Sequence, residues 1–413
     1  MLNQEEKSRL IQSVWLRFNS NIGALHIFFE NLAPNADRVD NDKLKHLVDE
    51  MTFIFKDKPE IAQKDILKYI PSVDDLDFLP DFRDSASVKE LLVALQDHEI
   101  RDSIQAWEEK HPHRSQRLSR VFSSSLSNPP MTGVMLRRSM LISLVTFLEI
   151  FLGDIYKSHY QVLGQSKEDA CKESRKLMKG NWRNKLTNLQ KIGLDIQATT
   201  KYSEEIFEIT QRRHVLVHND GIVDEGYKKY FSKYNYGDHL LVSTRYFQRG
   251  INIVHTLCFL LFCNQLTKYE ENKQVIYNKL DDFVLNSLEQ RRYSLVIELS
   301  ENAEFLDLPE NKRQIVIANR AIAYRELGKT EEVNRIVTFL ESAEHGLEIE
   351  LAISMLRNDI VNLRRQIKLI PNHPGNARMF SWPLFNPIKN EVWFKMEIAR
   401  ISKSHAPKTR RKH

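Results

Sequence analysis

SMLISLVTFLEIFLGDI (Ser139–Ile155) is the stretch of this chain that most strongly predicts its fold. Its apolar residues recur at steps of three and four, the spacing that places side chains on one face of an α-helix. This apolar stripe consists of Leu141, Leu144, Val145, Leu148, Phe151, Leu152 and Ile155. The stretch also contains Glu149 and falls short of the roughly 20 apolar residues that a membrane span requires. We therefore predict an amphipathic helix of a soluble protein.

The composition extends this prediction to the whole chain. The 413 residues include only 13 glycines and 13 prolines, and 28% are charged. Scarce helix breakers and many Leu, Glu, Lys and Arg residues favour helices. A second apolar stretch, Ile251–Cys263, lies in a predicted helix around Gln248–Leu266 and contains His255, which we expect to be a core histidine. The predicted fold class is all-α.

The net charge of +5 is concentrated at one end of the sequence. The last eleven residues, Lys403–His413, carry five Lys or Arg and no acid, and the remainder has 55 basic and 55 acidic residues. A nucleic-acid surface on the folded part would therefore be a local patch. We expect a disordered tail with weak, salt-sensitive attraction to polyanions.

Three cysteines, Cys171, Cys258 and Cys263, show no CxxC spacing and no His/Cys cluster. This pattern argues against a zinc site and against a disulfide framework. We expect reduced thiols, no metal and no cofactor, and a cytoplasmic protein without a membrane partner.

Changes in composition divide the chain into five predicted parts. Residues 1–122 are predicted to form an N-terminal helical domain of unknown role, and SSSLSNPPMTG (123–133) is predicted to be a linker. Residues 134–270 show four helical stretches, enough for an antiparallel four-helix bundle. Residues 271–370 are predicted to form helical hairpins. Residues 371–413 contain an irregular, proline-rich segment followed by the basic tail.

The predicted hairpins show a weak internal repeat. Two segments can be superimposed with Val296 matching Val333, an offset of 37 residues. Between them, Ala321, Tyr324 and Gly328 follow at steps of three and four. This pattern resembles a tetratricopeptide repeat, in which a small residue allows close helix approach and glycine ends the first helix. The resemblance implies a groove for a protein partner.

QRRHVLVHNDG (Gln211–Gly221) carries the strongest chemical signal. The guanidinium of Arg213 offers a planar fork of donors that suits a phosphate, and the imidazole of His218 can exchange protons near neutral pH. Five residues correspond to about 140° of helical rotation, so these two side chains do not share a face, whereas His214 and His218 do. Either the arginine curls round the helix, the helix ends before His218, or a second protomer completes the site.

A helix is predicted to lead into this motif. Ser203 is the expected N-cap, since two acidic residues follow it in the first turn. The expected apolar stripe of this helix is Ile206, Ile209 or Thr210, and Val217.

The motif, together with the apolar helices before and after it, resembles the HEPN superfamily of four-helix-bundle proteins. The resemblance covers about residues 134–270 and implies a metal-independent endoribonuclease that acts as a homodimer. It also implies that Arg213 stabilises the phosphate, that His218 is the acid or base, and that His214 and Asn219 position groups. Glu149 is a further candidate for orienting them, or else a surface carboxylate.

Other residues are weaker candidates for RNA contact. The segment Lys172–Lys191 carries seven Lys or Arg against one acid and includes an aromatic residue that could stack on bases. The basic face of a solvated helix and a packed tyrosine-rich loop explain these residues as well. The candidates are Arg212, Trp182, Arg183, Lys185, Lys228 and Lys229.

Two functions follow from these patterns. The first is a metal-independent endoribonuclease that leaves 2′,3′-cyclic phosphate and 5′-hydroxyl ends, in a setting of toxin or antiviral defence that the HEPN resemblance implies. The alternative is a helical adaptor without catalysis, in which the bundle dimerises or binds RNA and the C-terminal helices bind a partner. A simple helix end, with Arg and His near its last carbonyls, also accounts for the motif.

Overall fold

The computed structural model describes residues 2–54, 106, 109–117, 120, 132–194, 200–302 and 306–403. Its regular elements in these ranges are helices, with one isolated bridge between Ile222 and His239, so the predicted all-α class is confirmed. Most of the predicted linker and most of the basic tail lie outside the described residues.

Seven main helices precede residue 270 in the described ranges, apart from short helical stretches between residues 109 and 117. They are α1 (Gln4–Ile54), α2 (Thr132–Val162), α3 (Lys167–Leu177), α4 (Trp182–Lys191), α5 (Ser203–His218), α6 (Glu225–Tyr230) and α7 (Thr244–Thr267).

Eight more helices follow in the described part of the chain, with two 3₁₀ turns (Arg378–Ser381 and Pro383–Phe385) near its end. They are α8 (Lys273–Glu289), α9 (Tyr293–Glu301), α10 (Glu310–Glu326), α11 (Thr330–Ser342), α12 (Leu347–Leu356), α13 (Ile360–Leu369), α14 (Pro374–Ala377) and α15 (Val392–Ser402).

Helix α2 packs against α1, α5 and α7, and its predicted apolar stripe is buried along its whole length. The long helix α1 contributes aromatic side chains to the same core. Phe18 lies 4.7 Å from Phe151 between ring centroids, and Trp15 stacks on Phe262 at 5.3 Å. The domain limits at residues 122 and 271 stay predictions, but α1 and the bundle helices share one apolar core.

Helix α5 departs from its predicted pattern at both ends. Ile206 and Ile209 are buried as expected, but Val217 is 43% exposed, so its assignment to the apolar stripe is wrong. The prediction of Ser203 as the N-cap is also wrong by one residue. The helix begins at Ser203, and Tyr202 takes the capping position without a side-chain cap.

The C-terminal helices α9 to α13 pack in sequence as neighbouring hairpins. Ala321 is fully buried on α10, and Gly328 follows that helix with φ of +72°, a conformation that glycine adopts without a steric penalty. The range predicted as irregular contains the regular helix α15, in which Phe394 and Ile401 are buried.

His255 of α7 is fully buried, as predicted, and is surrounded by polar partners as well as aromatic rings. Its Nε2 lies 2.8 Å from Asn19 Oδ1 of α1, and its Nδ1 lies 2.9 Å from Arg292 Nη2. Because arginine only donates hydrogen bonds, Nδ1 accepts and Nε2 carries the proton. Burial, with the nearby Arg292 charge, lowers the pKa of His255 well below its ordinary value.

Two described helices, α2 and α7, are long and apolar enough to cross a membrane by length and composition. Their most apolar windows have mean hydropathies of 1.6 and 1.3, and 50% and 83% of the residues in those windows are buried inside the protein. Core helices of soluble proteins pass the same test, so this finding is only a weak sign of membrane insertion.

The packing of α1 predicts a stability difference between two neighbouring positions. Phe18→Ala should lower the free energy of unfolding by about 3–5 kcal/mol because it opens a cavity against Phe151. Leu16 is 61% exposed, so Leu16→Ala should change it by less than about 0.5 kcal/mol. Urea denaturation of the full chain measures both. Equal effects of the two substitutions would contradict the packing of α1 on the bundle.

The neutral, buried imidazole of His255 predicts a loss of stability in mild acid. The unfolded chain binds a proton on this residue near pH 6.5, and the folded chain does not, so stability falls as pH drops below that value. Its contribution reaches at most about 1.4 kcal/mol per pH unit. Urea denaturation between pH 7.5 and 5.5 should show a steeper fall for wild type than for His255→Asn. His113→Gln, at an exposed histidine, should keep the wild-type slope.

Candidate functional site

The C-terminal half of α5 presents two histidines on its outer face. His214 and His218 are both exposed, and their ring centroids lie 4.7 Å apart with an interplanar angle of 49°. The helix continues through His218, so it does not end before that residue, one of the three arrangements considered from the sequence. Arg213 and His218 therefore lie about 140° apart around the axis.

Arg213 lies on the edge of the face that packs inward and is half-buried. Its Nε is buried and has no hydrogen-bond partner among the described residues. An unpaired buried donor costs free energy, since it has lost its hydrogen bonds to water. The described chain therefore supplies no acceptor for this Nε.

The end of α5 is held by a turn and by an arginine from α2. Asp220 and Gly221 adopt left-handed conformations with φ of +50° and +84°. Arg138 donates to Asp220 Oδ1 at 2.6 Å and to the carbonyl of Leu216, one of the last acceptors of the helix. Arg138 is not among the candidates predicted from the sequence. It lies more than 70 residues before the motif, and nothing in the sequence around it indicates a contact with the end of α5.

Arg212 is buried, which contradicts the prediction that it contacts RNA. It pairs with Glu208 at 2.8 Å and donates to Tyr234 Oη at 2.7 Å and to the carbonyl of Leu241. The guanidinium also lies over the ring of Tyr246, 4.2 Å from the centroid. All of these contacts point into the protein, so Arg212 anchors α5.

Two tyrosines complete this cluster by donating to the Glu208 carboxylate. Tyr227 donates to Oε1 and Tyr246 to Oε2. Burial is the main cause that raises the pKa of both phenols, and the negative charge of Glu208 raises it further. Burial alone would lower the pKa of Arg212, but the neighbouring Tyr246 and Glu208 raise it above its ordinary value. The cluster is thus a charged pair with its polar atoms satisfied.

The contacts of Glu149 and of three residues in the basic segment differ from those predicted. Glu149 pairs with Lys185 of α4 at 2.7 Å, so this carboxylate does not orient Arg213 or His218. Trp182 is 2% exposed, which contradicts its predicted stacking on bases. Arg183 lies over the ring of Phe207 at 4.5 Å and pairs with Glu204 at 3.0 Å.

Asn219 and two lysines lie on the surface. The side chain of Asn219 is used locally, donating to the carbonyl of Ile222. Lys228 and Lys229 are exposed on α6, which packs against α5. Lys228 and Lys229 are thus open to solvent beside α5, as is Arg183, whose guanidinium is paired with Glu204.

The described residues contain no group of three or more His, Cys, Asp or Glu side chains placed to hold a metal ion. No protein-family model, no curated protein and no solved structure matches this chain. Any assignment of function therefore depends on the chemistry of its own residues.

The Glu208–Arg212 pair predicts a large effect of a small change. Glu208→Gln should lower the free energy of unfolding by about 3–5 kcal/mol, because it leaves the Arg212 charge buried without a partner. Glu204→Gln, in the exposed pair with Arg183, should change it by less than about 0.5 kcal/mol. Urea denaturation measures both. Similar small values would show that Arg212 is solvated.

Proposed function

We propose that this protein is a metal-independent endoribonuclease of the HEPN type, with its site at the end of α5. The observation that supports this best is the exposed pair of imidazoles, His214 and His218, at 4.7 Å between ring centroids. Two adjacent imidazoles can supply both the base and the acid that transesterification of RNA requires, because an imidazole nitrogen can either accept or donate a proton.

The proposed reaction is attack of a ribose 2′-oxygen on the adjacent phosphorus. His218 removes the proton of the 2′-hydroxyl, a new bond forms between that oxygen and phosphorus, and the bond to the 5′-oxygen breaks. His214 donates a proton to the leaving 5′-oxygen. The products are a 2′,3′-cyclic phosphate and a free 5′-hydroxyl. Arg213 stabilises the charge that develops on the phosphate oxygens.

A homodimer through this face of α5 would solve the geometric problem of the arginine. Arg213 and His218 of one chain diverge by about 140°, so a single phosphate reaches both only if the arginine bends round or a partner supplies one of them. Val217 is 43% exposed beside the histidines and offers an apolar contact for such an interface. We therefore propose that the active site lies between two copies of α5, with Lys228 and Lys229 near the RNA backbone.

The cleavage proposal is tested with purified full-length protein and single-stranded RNA in excess EDTA. Wild type should cleave, with cyclic phosphate and 5′-hydroxyl ends mapped by end-specific labelling. His218→Ala and Arg213→Ala should reduce the rate at least about 100-fold, since each removes a group that acts in the transition state. His113→Ala, at an exposed histidine outside α5, should keep the wild-type rate.

Some results would contradict the assignment. Cleavage that survives both substitutions would come from another site or from a contaminant, and cleavage abolished by EDTA would require a metal. Circular dichroism of each variant controls for folding, because His218 is exposed and its removal should leave the helix content unchanged.

The alternative function is a helical adaptor that binds a protein partner. It is favoured by exposed apolar side chains on the last helices: Val361 and Leu369 of α13 are 84% and 77% exposed, and Val392 and Met396 of α15 are 73% and 68% exposed. Exposed apolar side chains that form a contiguous patch are typical of interaction surfaces. Protein that leaves RNA intact under all conditions would support this function.

A further inference from the structure

A cavity of about 610 Å³ lies where α1, the end of α7, α8 and the start of α9 meet. Its volume falls in the range that small-molecule sites occupy, about 300–1,000 Å³. The cavity is lined by helices other than α5, so the inference drawn from it does not depend on the proposed nuclease activity.

Arg292 lines this cavity and is 6% exposed. It is placed by a tight turn between α8 and α9, in which Arg291 adopts φ of +58° and the N–H of Arg292 donates to the carbonyl of Ser287 at 2.8 Å. The turn fixes a long cationic side chain against the cavity at the entrance to the C-terminal hairpins.

The positive charge of Arg292 makes no ion pair with the described chain, and the carboxylate of Glu30 acts on it only from a distance. One guanidinium nitrogen donates to His255 Nδ1 at 2.9 Å, but that imidazole is neutral and its other nitrogen is bonded to Asn19. The Nε of Arg292 is buried and has no hydrogen-bond partner among the described residues. A buried charge is normally paired, because an unpaired one costs several kcal/mol.

The rest of the lining suits an organic molecule. Trp15, Phe262 and Phe283 form an apolar wall, and Lys279 adds a second cation. Gly23 of α1 also lines the cavity, and a Cβ built there meets nothing within 4 Å. Glycine inside a helix costs about 0.5–1 kcal/mol relative to alanine. Neither close helix packing nor a left-handed conformation accounts for this glycine, and its effect is to keep the space open.

From these observations we propose that the cavity binds a small organic anion. Its anionic group, a phosphate monoester or a carboxylate, pairs with Arg292, and its flat apolar part lies against the wall formed by Trp15 and Phe283. The guanidinium fork suits both anionic groups. The carboxylate of Asp282 at the same cavity can accept a hydrogen bond from a hydroxyl or amino group of the ligand.

The binding test uses full-length protein with three probes: AMP for the phosphate class, benzoate for the carboxylate class, and orthophosphate as an ion without an organic part. Thermal unfolding and isothermal titration calorimetry measure each. AMP, benzoate or both should raise the unfolding midpoint by at least about 2 °C at saturating concentration, because a ligand that binds only the folded state stabilises it. Orthophosphate should bind at least tenfold more weakly.

Two substitutions locate the site. Arg292→Met should weaken binding at least tenfold, because it removes the cation that pairs with the ligand, although it also takes away the donor to His255 Nδ1. Gly23→Leu should place a bulky side chain inside the cavity and abolish binding while leaving all charges in place. The second variant keeps the test decisive if Arg292→Met fails to fold.

Three outcomes would contradict the proposed anion site. The proposal is overturned if neither organic probe binds wild type, if binding survives Gly23→Leu, or if orthophosphate binds as tightly as AMP and benzoate. The tighter binding of AMP or of benzoate shows whether the anionic group of the ligand is a phosphate or a carboxylate. If Gly23→Leu leaves the rate of RNA cleavage unchanged, the anion site and the proposed nuclease site are independent of each other.

Discussion

The buried ion pair between Arg212 and Glu208 determines which face of α5 points outward. Both residues lie one turn apart on the same side of the helix, and Tyr227, Tyr234, Tyr246 and the carbonyl of Leu241 form further hydrogen bonds with them. A helix cannot rotate about its axis without pulling these charges away from their partners, which is costly in an apolar interior. The pair therefore fixes His214 and His218 on the solvent side.

The sequence predicted the apolar part of this arrangement well. Every member of the α2 stripe between Leu141 and Ile155 is buried, because side chains that repeat at the helical period must share one face whatever packs against them. The burial of His255 was likewise readable from its apolar neighbours. Burial of apolar surface is a local pattern, so a single sequence contains it.

The hydrogen-bond and ion-pair partners of the polar side chains were harder to predict from the sequence. Arg212 and Arg213 are adjacent and chemically identical. Arg212 has Glu208 one turn before it, but its other partners, the carbonyl of Leu241 and the hydroxyl of Tyr234, lie more than 20 residues away. The role of Arg138 depends on Asp220, 82 residues later. The prediction for Trp182 was also wrong. Its basic neighbours in the sequence suggested an exposed ring, but the side chain is only 2% exposed, and the sequence of this segment alone does not show what buries it.

One imidazole connects three parts of the chain that differ in composition and were predicted to be separate. His255 belongs to the bundle, its Nε2 is bonded to Asn19 near the start of the protein, and its Nδ1 accepts from Arg292 at the entrance to the C-terminal hairpins. A fragment that starts at residue 134 or stops at residue 270 would leave one ring nitrogen of a core histidine without its partner. Helix α7 and the segments that carry Asn19 and Arg292 therefore depend on one another for the hydrogen bonds of this ring.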